Sequence, residues 1–189
     1  METATLPTPV DVLTQPPAYS RPSQLPEVSE QRSGVANFGP NWFGSVMGTS
    51  IVATAAVTIP LQVPGQRALA EAVWILAGAV LLGVVLATAA HWIRHPGRAR
   101  GYVCEPVMAH FYSTVPMAFL AYGAATMAAG RSLIGTHAAV VVDWVMWLVG
   151  TPLGLLTAVA LPYLTFTRHE VADDGAFAGW LLPVVPPMV

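Results

Sequence analysis

The sequence predicts an all-α integral membrane protein, built as a bundle of antiparallel transmembrane helical hairpins. Its 189 residues are 54% hydrophobic and only 10% charged, whereas a soluble domain carries about a quarter charged residues. Apolar segments recur at the roughly 20 residues that a helix needs to cross the hydrocarbon core. The connections between these segments are short, and the alternating segments of about ten residues that form a transmembrane β-barrel are not found.

The composition also excludes several classes of function. The formal net charge is −2, lysine is absent and no basic patch occurs, so a nucleic-acid partner is not expected. The single cysteine, Cys104, permits no intramolecular disulfide and fits no metal-binding cysteine spacing. The sequence contains no G-x-S-x-G motif, no H-E-x-x-H motif and no glycine-rich phosphate loop. We therefore predict neither an enzyme nor a bound cofactor or metal.

The first 35 residues differ from the rest of the chain. They contain six prolines, many Ser, Thr and Gln residues, and almost no apolar cluster. Such a segment buries too little surface to offset its ordering entropy, so we predict a disordered cytoplasmic tail over residues 1–35. The first apolar run begins near Phe38, too late for a secretory signal peptide. Residues 36–189 are predicted to form the membrane bundle.

Five apolar segments follow the tail. The predicted spans cover residues 40–59, 67–93, 105–129 and 138–166, with an incomplete fifth span over 177–189. Pro40 suits the first turn of a helix, where a missing N–H costs nothing. The second span includes "VWILAGAVLLGVVLATAA", which carries no charge. The fifth would extend only about 20 Å as a helix, so we expect a fragment of a longer protein rather than a re-entrant stub.

The placement of arginine predicts the orientation. With the N-terminus inside, the cytoplasmic side holds the tail arginines, the predicted loop "RHPGRAR" after the second span, and Arg168. Only Arg67 and Arg131 fall on the outside. Because cytoplasmic loops carry an excess of arginine and lysine, we predict a multi-pass protein of the plasma membrane with a cytoplasmic N-terminus.

The stretch "NFGPNWFGSVMGTSIVATAAV" in the first span combines apolar residues with glycines and hydroxyls. Helical spacing places small residues on one face, beside Gly44 and Gly48. The residues on this face are Ser45, Thr49, Ala53 and Ala56. One interpretation is close helix packing, which faces of small residues permit; the other is a pore wall that offers hydroxyl donors. Spacing alone favours packing.

The third span carries a second polar face. One side of it holds His110, Ser113, Thr114 and Met117. Pro116 is predicted in the middle of this helix, where it would kink the axis. A membrane tolerates the freed backbone group only next to protein or water. His110 is either hydrogen-bonded to a neighbouring helix or titratable within a polar path.

Two further sites carry ionisable side chains. Asp143 is the only acid well inside a predicted span, and buried acids in membranes are commonly paired and functional. Its place near the end of the span favours a simpler role at the interface, held by Trp144 or His137. His91 and His95 stand four residues apart, a spacing that suits a metal. No third ligand is evident, so a metal site is not predicted.

Three motifs resemble one family. The stretches "FGPNWFGSVMGTSIVATA", "EPVMAHFYSTVPMAF" and above all "GWLLPVVPPMV" are similar to the tellurite-resistance/dicarboxylate transporter family. That family includes the bacterial tellurite-resistance permease, yeast malate permease, fungal sulfite exporters and plant slow anion channels. The resemblance covers residues 37–189, everything except the tail.

The resemblance implies ten transmembrane helices in five hairpins, with the odd-numbered helices bent by prolines around a central anion path. It also implies a homo-oligomer, commonly a trimer with one pore per protomer. Carried onto this chain, the first, third and fifth spans would line the pore. The implied pore-lining residues are Ser45, Thr49, His110, Thr114, Pro116, Pro183 and Pro186. For the first span, the resemblance favours a pore wall over packing alone.

The implied function is transmembrane transport of small anions or C4-dicarboxylates, by a channel or a secondary transporter. The three pore-lining spans contain no Lys or Arg, so hydroxyls and backbone N–H groups would hold an anion weakly and release it readily. No nucleotide motif supports ATP-driven transport. Four spans and a stub leave out the ninth helix, which carries the gating aromatic residue of the family. The alternative is a truncated or split-subunit membrane protein without transport activity of its own.

Overall fold

The computed structural model describes residues 38–60, 63–167 and 178–186, all within one compact unit, Ser33–Val189. Helices follow one another along the chain, and no strand occurs in this described part. The all-α class is confirmed. The predicted tail, Arg168, and residues 177 and 187–189 of the fifth span lie outside the described residues.

The described chain contains long and short helical segments. The α-helices are α1 (Phe43–Thr58), α2 (Gln66–Arg94), α3 (Pro96–Cys104), α4 (Pro106–His110), α5 (Thr114–Ala125), α6 (Arg131–Ile134) and α7 (Thr136–Thr167). The 3₁₀ helices are Pro40–Trp42, Phe111–Ser113 and Ala178–Val184, and Thr126–Gly130 is a π-helix. Within the described residues, α2 and α7 are long and apolar enough to cross a membrane by length and composition. They match the predicted second and fourth spans to within two residues at each end.

The first predicted span is a 3₁₀ turn followed by α1, which together extend roughly 30 Å. After it, Gly65 takes a left-handed conformation with φ of 87°, which costs glycine little and other residues more. Gln66 then ties the turn to α1. Its amide nitrogen donates to Ala56 O at 2.5 Å, and its amide oxygen accepts a hydrogen bond from the backbone N–H of Val63 at 2.9 Å. The Gln66 side chain therefore links α1 to the start of α2 in the first hairpin.

The third predicted span is not the single helix that its hydropathy indicated. The chain passes through α4, a 3₁₀ turn, α5 and a π-helix before it reaches α6. Pro116 is the third residue of α5, where a backbone N–H has no partner within the helix. The prediction of a mid-helix proline is therefore wrong, because the helix restarts two residues earlier. The predicted loop after the second span is also wrong, since α3 begins there with Pro96 in its first turn.

The helices pack in the order α2, α1, α5, α7. Helix α1 lies between α2 and α5, and α5 packs in turn against α7. One buried cluster joins Phe43 and Val46 of α1 to Leu81 and Val84 of α2 and Ala118 of α5. A second buried cluster contains Ala53, Ala70, Trp74, Ala125 and Ala129. The first and third spans therefore form the interior pair of the bundle.

The outward faces of α2 and α7 are apolar. Exposed large hydrophobic side chains include Ile75, Leu76, Leu82 and Leu86 on α2 and Val145, Leu148, Leu155, Leu156 and Val159 on α7. Soluble proteins rarely expose apolar patches of this extent. In a bilayer, the same side chains would be compatible with acyl chains.

A buried polar contact fixes the π-helix against α2. Trp74 donates from Nε1 to Thr126 Oγ1 at 2.9 Å, and Thr126 donates its hydroxyl to Tyr122 O at 2.8 Å. The indole also stacks on Tyr122, with ring centroids 6.2 Å apart. It lies so close to Gly130 that a Cβ there would come within 2.6 Å of the ring. The wider π turn therefore coincides with a large side chain from the neighbouring span.

Replacing Gly150 of α7 with alanine should destabilise the bundle. A Cβ at Gly150 would lie 2.7 Å from Leu120 Cγ and 3.2 Å from Pro116 O, and such overpacking costs about 1–3 kcal/mol. The matched control is Gly83→Ala on α2, where a Cβ meets no atom within 4 Å. There alanine should be neutral or stabilise the helix by up to about 1 kcal/mol. Thermal unfolding in detergent, followed by circular dichroism, measures both; equal midpoints would contradict the α5–α7 packing.

Candidate functional site

A groove runs between α1 and α5 and reaches the end of the chain's described part. Its volume is about 580 Å³. The lining residues are Met47, Ile51, Thr54, Ala55 and Thr58 from α1, Met117, Ala121 and Ala124 from α5, and Val185. Since Val185 directly follows the final 3₁₀ helix, the first, third and fifth spans share this one surface.

The groove is apolar except for two hydroxyls. Thr54 donates to Ser50 O at 3.1 Å, and Thr58 donates to Thr54 O at 3.0 Å or to Ala55 O at 3.3 Å. None of the groove-lining residues carries a charge. To donate to a bound group, either hydroxyl must rotate away from its helix carbonyl. The groove can therefore stabilise an anion only weakly.

Two of the predicted site residues lie where α4 gives way to α5. Thr114 is buried, and its Oγ1 lies 3.0 Å from Pro40 O and 2.7 Å from Phe111 O, so its hydroxyl links the third span to the start of the first. His110 is 2% exposed, and its Nε2 lies 3.5 Å from Thr165 Oγ1 on α7. Both side chains contact neighbouring spans and are not part of the groove lining.

The three predicted prolines are buried at the junction of the third, fourth and fifth spans. Pro116 and Pro186 pack around Gly154 of α7, where a Cβ would lie 3.7 Å and 3.0 Å from their respective Cβ atoms. Pro183 and His110 line a separate cavity of about 60 Å³. The structure therefore brings His110 together with Pro183, and Pro116 together with Pro186, and none of these four residues lines the groove.

Similarity to known proteins decides the family. Residues 37–189 match the SLAC1 family, which is described as voltage-dependent anion channel. The chain belongs to this family. The resemblance drawn from the three sequence motifs is thereby confirmed.

Several proteins similar to this chain are named as transporters or efflux pumps. The chain is 25% identical over 155 residues to a sulfite efflux pump of Arthroderma otae, a match that covers 82% of this chain and 41% of that protein. It is 24% identical over 153 residues to an uncharacterized transporter of Methanocaldococcus jannaschii, covering 80% and 42%. The chain thus spans about two fifths of the length of these relatives. No solved structure matches it.

In this SLAC1-family chain, Ser45 and Thr49 do not line the groove. At about 100° per residue, they lie roughly on the opposite side of α1 from Met47 and Ile51. Ser45 donates to Trp42 O at 2.7 Å, and Thr49 donates to Ser45 O at 2.9 Å. Both hydroxyls are therefore satisfied within their own helix. Their place in a pore wall stays a prediction.

The ionisable residues lie at two other places. Asp143 is half-buried against α5, and a Cβ on Gly123 would lie 2.7 Å from its Oδ1, so its carboxylate faces the third span. The rings of His91 and His95 are 5.9 Å apart, and His91 also stacks on Tyr102 at 5.8 Å. Among the residues that the structure describes, no three metal-ligating side chains cluster together.

Sequence reasoning missed the groove-lining face of α1 and the partner of His110. The face consists of Met47, Ile51, Thr54 and Thr58, which recur at helical spacing and mix apolar side chains with hydroxyls. The spacing of these four residues could have indicated this face. The prediction chose Ser45 and Thr49 instead, because they lie beside Gly44 and Gly48. Thr165 lies 55 residues from His110 in sequence, and no local pattern relates them.

Replacing Thr114 with valine should loosen the contact between the first and third spans. The change keeps the size of the side chain and removes the hydroxyl that reaches Pro40 O. Interhelical hydrogen bonds of this kind in membranes are worth about 1 kcal/mol. Thr114→Ser keeps the hydroxyl and should retain most of that stability. Free energies of unfolding in mixed detergent micelles measure the difference; an equal loss in the two variants would contradict a role for the hydrogen bond.

Proposed function

We propose that this chain forms one wall of a membrane path that transports small anions. The observation that carries the proposal is the groove shared by the first, third and fifth spans. Its lining offers two threonine hydroxyls and no charge. Conduction requires binding that is favourable enough for entry and weak enough for exit. Membership of the SLAC1 family and the sulfite efflux pumps among the relatives support the same function.

A monovalent anion suits the groove better than a C4-dicarboxylate. Two carboxylates need two sets of donors, and arginine forks are the usual means of binding them, whereas no cationic side chain lines the groove. Removing a second charge from water adds a further large cost. We therefore place hydrogensulfite, the monovalent form of sulfite, first among the substrates. Malate, other C4-dicarboxylates and tellurite are the competing substrates within the same proposal.

A closed path needs a second wall opposite the groove. We propose that another protein segment supplies it, from a further part of a longer protein, from a second copy of this chain or from a separate chain. A homotrimer is the oligomer expected from the family resemblance, with the outer faces of α2 and α7 against lipid. Without a second wall, the chain would be a membrane protein without transport of its own, which is the alternative function.

The proposed location is the plasma membrane, with the N-terminus in the cytoplasm. Arg94, Arg98 and Arg100 follow one another at one end of α2 and on α3, and all are exposed. Arg67 and Arg131 lie on the other side of the bundle by the alternation of the spans. The excess of arginine supports the first side as cytoplasmic.

Anion efflux from vesicles tests the proposed function. Vesicles that contain the purified chain and are loaded with sulfite or malate should release sulfite faster than malate. Both anions should leave faster than from loaded vesicles without protein. Ala55→Trp fills the groove and should abolish efflux. The matched control is Ala79→Trp, at an exposed position of α2 outside the groove, which should retain it. Failure to release sulfite, malate, chloride, nitrate or tellurite would contradict the proposal.

Thiol labelling tests whether the groove is hydrated. In a Cys104→Ala background, cysteines introduced at Ala55 and Ala124 should react with a membrane-impermeant thiosulfonate, because thiolate formation needs water. The reaction should also reduce anion efflux. A cysteine at Ala79, on the outer face of α2, should not react. Absence of labelling at Ala55 and Ala124 would place the groove in lipid and contradict the proposed path, and labelling at Ala79 at the same rate would show that the groove is no more hydrated than the outer face of α2.

A further inference from the structure

Three arginines follow one another where α2 ends and α3 begins. Arg94 is the last residue of α2, and Arg98 and Arg100 lie on α3. All three are exposed. Within the described part of the chain none of them forms an ion pair, whereas Arg67 at the other end of α2 pairs with Glu71 at 3.4 Å. This end of the bundle therefore presents three guanidinium groups that no described carboxylate neutralises.

The length of α2 brings these arginines to the lipid headgroups. Its 29 residues extend roughly 43 Å, which matches a bilayer of about 40–45 Å with its headgroup regions included. Near its end, Trp92 is 40% exposed and Ile93 is 81% exposed. Tryptophan is enriched where hydrocarbon meets headgroups, and the exposed isoleucine beside it suits acyl chains. Arg94 follows directly, at the level where lipid phosphates lie.

Helix α3 is held against the bundle by one face. Ala99 is fully buried, and its carbonyl oxygen accepts a hydrogen bond from the Tyr112 hydroxyl at 3.2 Å. Tyr102 stacks on His91 of α2, with ring centroids 5.8 Å apart. At about 100° per residue, Ala99 and Tyr102 share one side of α3. Both contacts keep α3 beside the end of α2.

The outward face of α3 consists of glycines between two arginines. On a helix, Gly97 and Gly101 lie between Arg98 and Arg100 on the side opposite to the buried face. A Cβ at either glycine would meet no atom within 4 Å, so a bulky group can approach the helix there. A guanidinium group matches the oxygens of a phosphate with two parallel hydrogen bonds. The outward face therefore has the charge and the open space that suit a phosphate.

We propose that Arg94, Arg98 and Arg100 bind the headgroups of anionic phospholipids in the adjacent leaflet. A lipid suits this surface better than a soluble phosphate, because its acyl chains also cover the exposed Trp92 and Ile93. Each arginine close to a membrane surface raises the affinity for anionic lipid about fivefold. The proposal goes beyond anion transport and does not depend on it.

Carboxylates of the chain itself are the competing partners for these arginines. Glu105, which follows α3, is exposed and forms no ion pair with a described residue. Three further acidic residues, Glu170, Asp173 and Asp174, lie outside the described residues. A carboxylate of the chain would bind the arginines whatever lipid is present, whereas a headgroup site requires the anionic lipid. Comparing an anionic with a neutral lipid therefore separates the two partners.

Native mass spectrometry of the full chain in detergent micelles tests the site, with phosphatidylglycerol and phosphatidylcholine of identical acyl chains as probes. Three arginines predict that phosphatidylglycerol binds about a hundredfold more tightly than phosphatidylcholine. Replacing Arg98 and Arg100 together with glutamine should reduce this preference to about fivefold. The matched control replaces Arg67 and Arg131 with glutamine, which removes the same charge at the other end of the spans and should retain the preference.

Three results would overturn the lipid site. The first is equal binding of the two lipids to the wild type, and the second is an equal loss of preference in the two double variants. The third is displacement of phosphatidylglycerol by an equal concentration of glycerol phosphate, which would indicate a site for a soluble phosphate. Circular dichroism checks that the variants are folded. Arg98→Lys with Arg100→Lys keeps the charge and should retain more of the preference than the glutamine variant. Because these arginines do not line the groove, the lipid site and the transport proposal can fail separately.

Discussion

Backbone polar groups inside a membrane must find partners within the protein, and this constraint bears on every irregular segment of the bundle, the third span among them. That span departs from the α-helix at Phe111–Ser113 and again at Thr126–Gly130. The neighbouring spans cover both departures. Pro40 O accepts from Thr114 beside the first, and the Trp74 indole donates to Thr126 at the second. The third span therefore contacts a different neighbouring span at each of its two departures from the α-helix.

The glycines divide into two groups by what surrounds them. At Gly123, Gly130 and Gly150, in or against the third span, a Cβ would come within 2.7 Å of another side chain. These glycines allow helices to approach closely. At Gly44 and Gly48 a Cβ would meet nothing within 4 Å in the described structure. Close packing among the described helices therefore does not explain the glycines of the first span, although spacing alone favoured that interpretation.

The sequence predicted the long helices well and the irregular ones badly, for a physical reason. The bounds of α2 and α7 follow from unbroken apolar runs of membrane length, a signal that sums over many residues. The interruptions of the third span depend on partners that are distant in sequence, such as Trp74 for Thr126, 52 residues away. Pro116 showed that an irregularity was near but not on which side of it the helix restarts. Residue type alone was enough to select His110 as a candidate site residue. Its neighbour Thr165 could be identified only from the fold.

The hydroxyl-rich first span illustrates why a polar side chain does not by itself identify a pore. A threonine in a helix can donate to the carbonyl four residues earlier, so a lipid-facing helix can carry hydroxyls at little cost. The Ser45 hydroxyl donates to the carbonyl three residues earlier. The hydroxyls of Thr49, Thr54 and Thr58 donate to the carbonyls four residues earlier. What distinguishes Thr54 and Thr58 is the surface beside them, because only these two border the groove shared with α5.

The proposed anion path depends on keeping fixed charge out of the groove. A cation in the groove would hold an anion too firmly for rapid release, since the attraction between charges grows as water is excluded. The buried His110 imidazole lies instead behind the junction of α4 and α5, against α7 and the final 3₁₀ helix. The lining of the groove and the surroundings of His110 share no residue. The described fold thus keeps its buried imidazole apart from the uncharged groove.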